Sequence, residues 1–161
     1  MSSLLSLVQF ATQSPAWRLQ DLDNNFAQLN AAVSGILNVG TFPATIVGGF
    51  NATATFNYVA VGPINFVMLP VGIVDSSANV GPAIISGLPP ALWPVTQQLT
   101  VYGGLVEQNG QTPLQAAVTI QTNGTIVVSP TFATSNGISS NASFIGNKAL
   151  LAGFSFCFPT M

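Results

Sequence analysis

Charged side chains are scarce in this sequence, and histidine is absent. Only 2 Lys or Arg and 4 Asp or Glu occur among 161 residues, which is 4% of the chain, whereas charged residues make up roughly 25% of an average globular protein. The net charge is −2, so the chain has no cluster of basic residues with which to bind nucleic-acid phosphates or anionic lipid head groups. We therefore expect no nucleic-acid partner.

Few side chains are available for catalysis. With no His, one Cys and four carboxylates, the chain lacks the usual groups for general acid–base, nucleophilic or metal chemistry. Asp21 and Asp23 are two residues apart on a predicted helix and point in different directions. Asp75 and Glu107 are interpreted as solvated residues in turns. We predict no enzymatic activity, no catalytic residue, no metal and no cofactor.

The lone cysteine and the two bases also have structural interpretations. Cys157 stands between Phe156 and Phe158 and is expected to be a small packed residue or a strand residue. Arg18 and Lys148 are expected to face solvent or a second subunit. A single cysteine excludes an intrachain disulfide.

Long apolar runs are missing as well. The longest, residues 59–74 (VAVGPINFVMLPVGIV), is interrupted by Gly, Pro and Asn and is shorter than the ~20 residues of a transmembrane helix. No base precedes the apolar residues at the start of the chain, unlike in a secretory signal, so we expect no membrane insertion. Because 48% of the residues are nevertheless hydrophobic, we expect the chain to cover its surface by assembling into a larger particle.

Residues 14–39 have the pattern of a helical stalk. Ser14 is a good N-cap, and Pro15 suits the first helical position. Apolar residues then recur at alternating intervals of three and four, as in the seam of a coiled coil. This seam consists of Leu19, Leu22, Phe26, Leu29, Val33 and Ile36. The narrow stripe predicts self-association, and a Phe with β-branched residues favours three strands. The alternative is a single amphipathic helix on its own domain.

Residues 1–13 precede the predicted stalk and are interpreted as a docking segment. Their large apolar residues are Leu4, Leu5, Leu7, Val8 and Phe10. Such residues are exposed unless a partner covers them, so other proteins of the particle are the expected partners. The alternative is that the segment folds back on the assembled subunits.

Residues 40–161 have the composition of a β-domain. Short runs rich in Val, Ile and Phe alternate with Gly, Pro and Asn. Strands are predicted near residues 44–48, 53–60, 64–74, 80–86, 98–106, 115–121, 125–129 and 149–158. Asn123-Gly124 predicts a tight hairpin with positive φ at both residues, and Asn109-Gly110 and Asn136-Gly137 are weaker copies. Eight strands over this length predict a β-sandwich or jelly roll.

One aromatic residue is a candidate surface contact. The segment 87–94 (GLPPALWP) is too rich in Pro for a helix and could present Trp93 to a second subunit. Stacking on a sugar is a second possibility for Trp93, Tyr58 and Tyr102. The alternative for all three is packing in the core.

Two segments resemble a known class of proteins. Residues 17–36 (WRLQDLDNNFAQLNAAVSGI) resemble the short helical stalks of bacteriophage tail-fibre and head-fibre proteins, in which a DLNxNFxxLxxAV-like segment trimerises. Residues 58–89 (YVAVGPINFVMLPVGIVDSSANVGPAIISGLP) look like the β-domain of the same class. At Pro63-Ile64-Asn65 the chain departs from the usual polar residues. The resemblance implies a stalk that anchors to the virion and a β-domain that projects outward.

The expected function follows from these features together. We predict a non-enzymatic, homotrimeric virion appendage, a short phage fibre or spike, that is anchored by its N-terminus and binds a host-surface glycan through its β-domain. A capsid decoration protein that stabilises the shell is the first alternative. A secreted, trimeric, lectin-like jelly roll is the second, and a small enzyme is the weakest.

Overall fold

The computed structural model describes residues 15–110, 112–134, 137–139 and 143–160. The chain divides into two compact units, Met1–Asn38 and Val39–Met161. Its regular elements, in chain order, are α1 (Pro15–Ile36), β1 (Leu37–Gly48), β2 (Ala52–Val61), β3 (Ile64–Leu69), β4 (Ile73–Asp75), β5 (Ala83–Ser86), a 3₁₀ turn (Pro90–Leu92), β6 (Leu99–Gln108), β7 (Leu114–Ile120), β8 (Ile126–Pro130), β9 (Phe132–Thr134), β10 (Gly137–Ser139), β11 (Lys148–Leu150) and β12 (Phe154–Pro159).

Helix α1 spans 22 residues and begins at Pro15, the residue predicted for the first helical position. Ser14, the predicted cap, lies outside the described residues. The helix ends at Ile36, and β1 follows at once from Leu37. Residues 37–39 of the predicted stalk are therefore strand, because β-branched Val39 and the weak helix formers Asn38 and Gly40 favour an extended chain. Within the described part of the chain, no helix is both long enough and apolar enough to cross a membrane.

Ten strands form one sheet, and β9 and β10 form a separate hairpin. The order across the large sheet is β12-β3-β2-β1-β5-β8-β7-β6-β11-β4. Although β12 and β6 are far apart in this order, they pack against each other, so the sheet curls until β12 reaches β6. The prediction of a mainly β domain is confirmed, but a single curled sheet takes the place of the two separate sheets of a sandwich.

The core lies inside the curl and is rich in phenylalanine. Its buried rings are Phe42, Phe50, Phe56, Phe144, Phe154, Phe156 and Phe158. Phe42 stacks on Phe56 with ring centroids 5.4 Å apart, and Phe50 meets Phe144 edge to face at 5.0 Å. The predicted alternation along β12 is confirmed, because its three Phe side chains are buried while Ser155 and Cys157 are exposed.

Two predicted strands are each interrupted by a turn. The run predicted at 64–74 breaks at residues 70–72, where a Cβ on Gly72 would stand 2.8 Å from the backbone N of Ala152. The run predicted at 149–158 breaks at residues 151–153, and Gly153 has a φ of +79°. The strands β9 and β10 were not predicted. The turns at residues 70–72 and 151–153 depend on contacts between segments that are distant in sequence, and apolar periodicity does not predict such contacts.

The hairpin between β7 and β8 forms at the predicted place with a different turn. Only Gly124 has positive φ, +77°. The N–H of Gly124 donates to Gln121 O at 2.9 Å, and the N–H of Gln121 donates to Thr125 O at 2.9 Å. The loop therefore has three residues, of which only the last needs positive φ. Both residues of Asn109-Gly110 have positive φ, +55° and +67°, so the turn expected at 123–124 occurs at 109–110. Asn136 lies outside the described residues.

Candidate functional site

The outer face of strands β2, β3 and β12 carries two parallel rows of side chains. Strand register places the first row across the three strands as Asn57, Met68 and Ser155. Two residues along each strand, the second row consists of Val59, Phe66 and Cys157. Side chains two residues apart project from the same face of a strand, roughly 7 Å from each other, so a trough separates the rows.

The floor of this trough is strand backbone. Tyr58, Val67 and Phe156 are register partners between the two rows, and their side chains turn toward the core. The space is an open groove of about 470 Å³, within the range of roughly 300–1,000 Å³ typical of small-molecule sites. We refer to it as the outer groove.

Strand β6 closes the outer groove beside β12. Tyr102 and Gly103 complete its lining, and Tyr102 is 53% exposed. A Cβ on Gly103 would stand 2.6 Å from Ser155 O, so glycine is needed for β12 to lie directly on β6. At Gly104, φ is +65° and a Cβ would overlap the Phe154 ring. The β6–β7 register slips between Gly103 and Leu105, which is the mark of a β-bulge.

The lining of the outer groove is aromatic, apolar and uncharged. Phe66 is 49% exposed, and Met68 is exposed to a similar extent. Asn57 and Ser155 add an amide and a hydroxyl, and none of the lining residues is Asp, Glu, Lys, Arg or His. Such a surface can pack on an apolar face and exchange hydrogen bonds, but it lacks the usual groups for general acid–base catalysis. The outer groove is therefore a candidate binding site.

The charged residues of the β unit lie elsewhere, and two of them are buried. Lys148 on β11 stands opposite Asp75 on β4 and opposite Gln108 on β6. Lys148 is 2% exposed and Asp75 is 7% exposed. The predictions that Asp75 is a solvated turn residue and that Lys148 faces solvent or a subunit are wrong, because both complete a polar row inside the sheet. Glu107 is half-buried on β6 rather than in a turn.

Every buried polar group in this row has partners. Lys148 Nζ donates to Ser77 O at 3.0 Å and to Asn79 O at 2.7 Å, and it lies 5.8 Å from the centre of the Phe50 ring. Gln108 Oε1 accepts from the N–H of Ile145 at 3.0 Å. The row therefore ties loops to the sheet, as buried polar groups need hydrogen bonds to be tolerated.

The carboxylate of Asp75 is held in its ionised form. Burial by itself raises the pKa of Asp75, but the neighbouring Ser77 hydroxyl, the N–H groups of Asn51 and Ser77 and the charge of Lys148 lower it below its usual value of 3.8. The N–H of Asn51 donates to Oδ2 at 2.7 Å and that of Ser77 to Oδ1 at 2.6 Å. Because Ser77 Oγ makes no hydrogen bond of good geometry, we attribute the lowering chiefly to these two backbone donors.

The predicted seam residues lie on α1, and those whose side chains are described are exposed. The exposed fractions are 41% for Leu22, 60% for Phe26, 50% for Leu29, 53% for Val33 and 53% for Ile36. The side chain of Leu19, like that of Arg18, falls outside what the structure describes. Residues 1–13, with the predicted docking residues Leu4, Leu5, Leu7, Val8 and Phe10, also lie outside the described residues.

Trp93 is half-buried and packs against the core. Its indole N–H donates to Leu88 O at 2.7 Å, and a Cβ on Gly124 would overlap its ring. A role for Trp93 in a subunit contact stays a prediction. Of the three aromatic residues considered for sugar stacking, Tyr102 has the most exposed ring, and both it and Tyr58 line the outer groove.

Most residues of the outer groove were not singled out in the sequence. The alternation of apolar residues predicts that Asn57 and Cys157 lie opposite the dry face of their strands, so it could have indicated these two groove residues. The sequence does not give the register that aligns these strands with Phe66 and Met68 of β3. Cys157 is a strand residue, one of the two predicted possibilities, and its side chain is exposed. Among the described residues, no three His, Cys, Asp or Glu side chains gather as metal ligands.

No known protein family and no curated protein matches the chain. Among solved structures, the chain is similar to the receptor binding protein of Listeria phage PSA, with 16% sequence identity and a TM-score of 0.48 over 91% of this chain and 81% of that one. It is also similar to the reovirus attachment protein sigma1, solved in complex with alpha-2,3-sialyllactose, with 12% identity and a TM-score of 0.45 over 78% of this chain and 68% of that one. The first is named as a receptor binding protein and the second as an attachment protein. At TM-scores of this size, neither likeness assigns a partner or an activity to this chain.

Proposed function

We propose that this protein is a non-enzymatic, homotrimeric virion appendage, a short phage fibre or spike that is anchored through residues 1–13 and contacts the host surface through its β unit. The observation that carries the proposal is the row of large apolar side chains left exposed along α1. Phe26 alone exposes 60% of its surface. Burying such a side chain is worth about 1.5–3 kcal/mol, so a row of them favours association with further helices.

The spacing of the row selects other copies of this chain as the partners. Intervals of three and four place Leu22, Phe26 and Leu29 along one line of the helix, which suits knobs-into-holes packing. In proteins, most of the stability of a helix comes from packing of its apolar face rather than from intrinsic propensity. Association through the seam therefore stabilises both the helix and the trimer.

The outer groove supplies a surface for attachment. Its exposed Phe66 and Tyr102 flank a neutral trough, which suits contact with a host-surface glycan rather than chemistry on it. Three copies on one axis would present three grooves, and multivalency makes weak individual sites sufficient because the effective concentration of the second and third site is high. The resemblance of residues 17–36 and 58–89 to phage fibre proteins supports the same function.

Two measurements on the full chain test the proposal. Sedimentation equilibrium at micromolar concentration should give the mass of a trimer. Immunogold labelling of purified particles should place the protein on the virion, and the purified protein should inhibit adsorption of those particles to cells. A monomer in solution, or particles without the protein, would reject the proposal. Labelling of the shell without any effect on adsorption would favour a capsid decoration protein.

A deletion of residues 2–13 separates anchoring from folding. We expect the shortened protein to remain a folded trimer but to be absent from particles, because the apolar side chains Leu4, Leu5 and Phe10 would no longer be available to a docking partner. Normal incorporation of the shortened protein would reject the docking role and would leave the trimer untouched.

A further inference from the structure

The chain contains only two bases, and the β unit has one of them. Arg18 belongs to the helical unit and Lys148 to the β unit. Lys148 is 2% exposed, and its ammonium group already donates to Ser77 O and Asn79 O. The unit Val39–Met161 therefore offers no free cationic side chain to a ligand, whereas it carries two acids, Asp75 and Glu107.

Given the attachment role proposed above, we infer that the outer groove binds an uncharged saccharide and does not favour an acidic one. An anionic sugar carries a carboxylate, sulfate or phosphate, which proteins usually pair with Arg or Lys through charge-assisted hydrogen bonds. In the outer groove such an anion would lose water without gaining a cation, and that exchange is unfavourable.

The backbone of β3, in the middle of the groove floor, does not replace the missing cations. Strand β3 is paired on one side with β2 and on the other with β12. The N–H groups of the central floor residue, Val67, and of its neighbours on β3 are therefore directed along the sheet into these pairings. Backbone donors aimed out of the sheet, as in the anion-binding nests of loops, are not a feature of this floor.

A neutral saccharide matches what the groove does present. The C–H face of a sugar ring is apolar and can pack on exposed rings such as Phe66 and Tyr102. Its hydroxyls can exchange hydrogen bonds with the amide of Asn57 and the hydroxyl of Ser155. The volume of about 470 Å³ and the narrow trough suit a short oligosaccharide. Because the groove is neutral, it favours a neutral saccharide over an acidic one.

The test uses an array of neutral hexose and N-acetylhexosamine oligosaccharides beside the same oligosaccharides bearing sialic acid, sulfate or phosphate. The full-length protein is compared with Phe66→Ala in the groove and with Val47→Ala as the matched control, since Val47 is a strand residue of similar exposure, 46%, outside the groove. A third variant, Ser155→Lys, places a cation in the groove.

We expect the wild type to bind at least one neutral oligosaccharide. It should bind the acidic counterpart of that oligosaccharide no more tightly, and its affinity for the neutral one should be equal in about 0.1 M and about 0.5 M NaCl. Phe66→Ala should weaken binding about fivefold through lost stacking, and Val47→Ala should not. Ser155→Lys should raise the signal of the acidic counterparts, because the new ammonium lies where the ligand binds.

Other outcomes separate this inference from the proposed function. Preference of the wild type for acidic sugars, or no gain from Ser155→Lys, overturns the inference while attachment stands. If Phe66→Ala lowers the mass of the assembly in sedimentation, the groove is a contact between copies of the chain, and the inference is overturned as well. If the protein binds no sugar but still blocks adsorption of particles, only the inference is overturned. If it binds no sugar and does not block adsorption, the proposed attachment is overturned as well.

Discussion

Asp75 and Lys148 face each other across the antiparallel pair β4–β11, and both are more than nine-tenths buried. Each side chain binds backbone of the same loop, since the carboxylate accepts from the N–H of Ser77 and the ammonium donates to Ser77 O and Asn79 O. The carboxylate also accepts from the N–H of Asn51. Two of the six charged residues of the chain therefore hold loops to the sheet, which leaves still fewer charges for partners.

This arrangement predicts a loss of stability in acid. The pKa of Asp75 is lower in the folded protein than its usual value of 3.8, so its ionised form favours folding. That contribution is complete above the unfolded-state pKa and is lost as pH falls through the lowered folded-state pKa. Urea unfolding should give a nearly constant contribution from Asp75 between about pH 7 and about pH 5, and a declining one below about pH 4.

The acid dependence should belong to Asp75 in particular. Asp75→Asn should flatten the fall in the free energy of unfolding below about pH 4, whereas Asp23→Asn, which changes an exposed carboxylate of α1, should leave the fall in place. An unchanged acid limb in Asp75→Asn would mean that the fall comes from another group.

The same pair predicts coupled substitution energies. Asp75→Asn should lower the free energy of unfolding by about 2 kcal/mol at pH 7, because one backbone N–H loses its anionic acceptor. Lys148→Met should cost about 2–3 kcal/mol, because the buried carbonyls of Ser77 and Asn79 lose their charged donor. The double variant should cost about 1 kcal/mol less than the sum, as measured by urea denaturation. Strict additivity would show that the two charges do not interact.

Glycine at position 104 should be needed for the contact between β6 and β12. Gly104→Ala places a side chain at a φ of +65° and against the Phe154 ring, and overpacking of this kind costs about 1–3 kcal/mol beyond the ~1–2 kcal/mol of the left-handed backbone. Gly153→Ala is the matched control, since φ is +79° and nothing lies within 4 Å. Equal denaturation midpoints for the two variants would contradict the contact.

A charge on the seam should dissociate the proposed trimer. In that trimer Phe26→Asp would bury an unpaired carboxylate near the axis at a cost of several kcal/mol, so sedimentation should show monomer at concentrations where we expect the wild type to be trimeric. Gln28→Asp adds the same charge at an exposed helix position off the seam and should leave the mass unchanged. A trimeric Phe26→Asp would locate the subunit contact elsewhere.

Assembly should be insensitive to salt. A chain with 4% charged residues has little electrostatic attraction for salt to screen, whereas apolar burial is unaffected or slightly strengthened by salt. Trimer mass and particle occupancy should stay constant from about 0.05 M to about 1 M NaCl. Release of the protein from particles at high salt would show that its docking is electrostatic.

Turn chemistry was readable from the sequence only in part. Asn123-Gly124 predicted the hairpin that joins β7 to β8, but its loop has three residues and needs positive φ at Gly124 alone. Loop length depends on where the flanking strands stop pairing, so the dipeptide determines that the chain turns but not which turn it makes.

The sequence by itself determined α1, the dry faces of β2 and β12, the mainly β class and the scarcity of charged side chains. These follow from local periodicity and composition, which any short window contains. Only the tertiary structure decided that Asp75 stands opposite Lys148 and that Asn57, Met68 and Ser155 stand in one row. Those residues are distant in the chain, and the register that aligns them is set by how the curled sheet packs its core, because a slip of one residue would turn each buried Phe of β12 to the solvent.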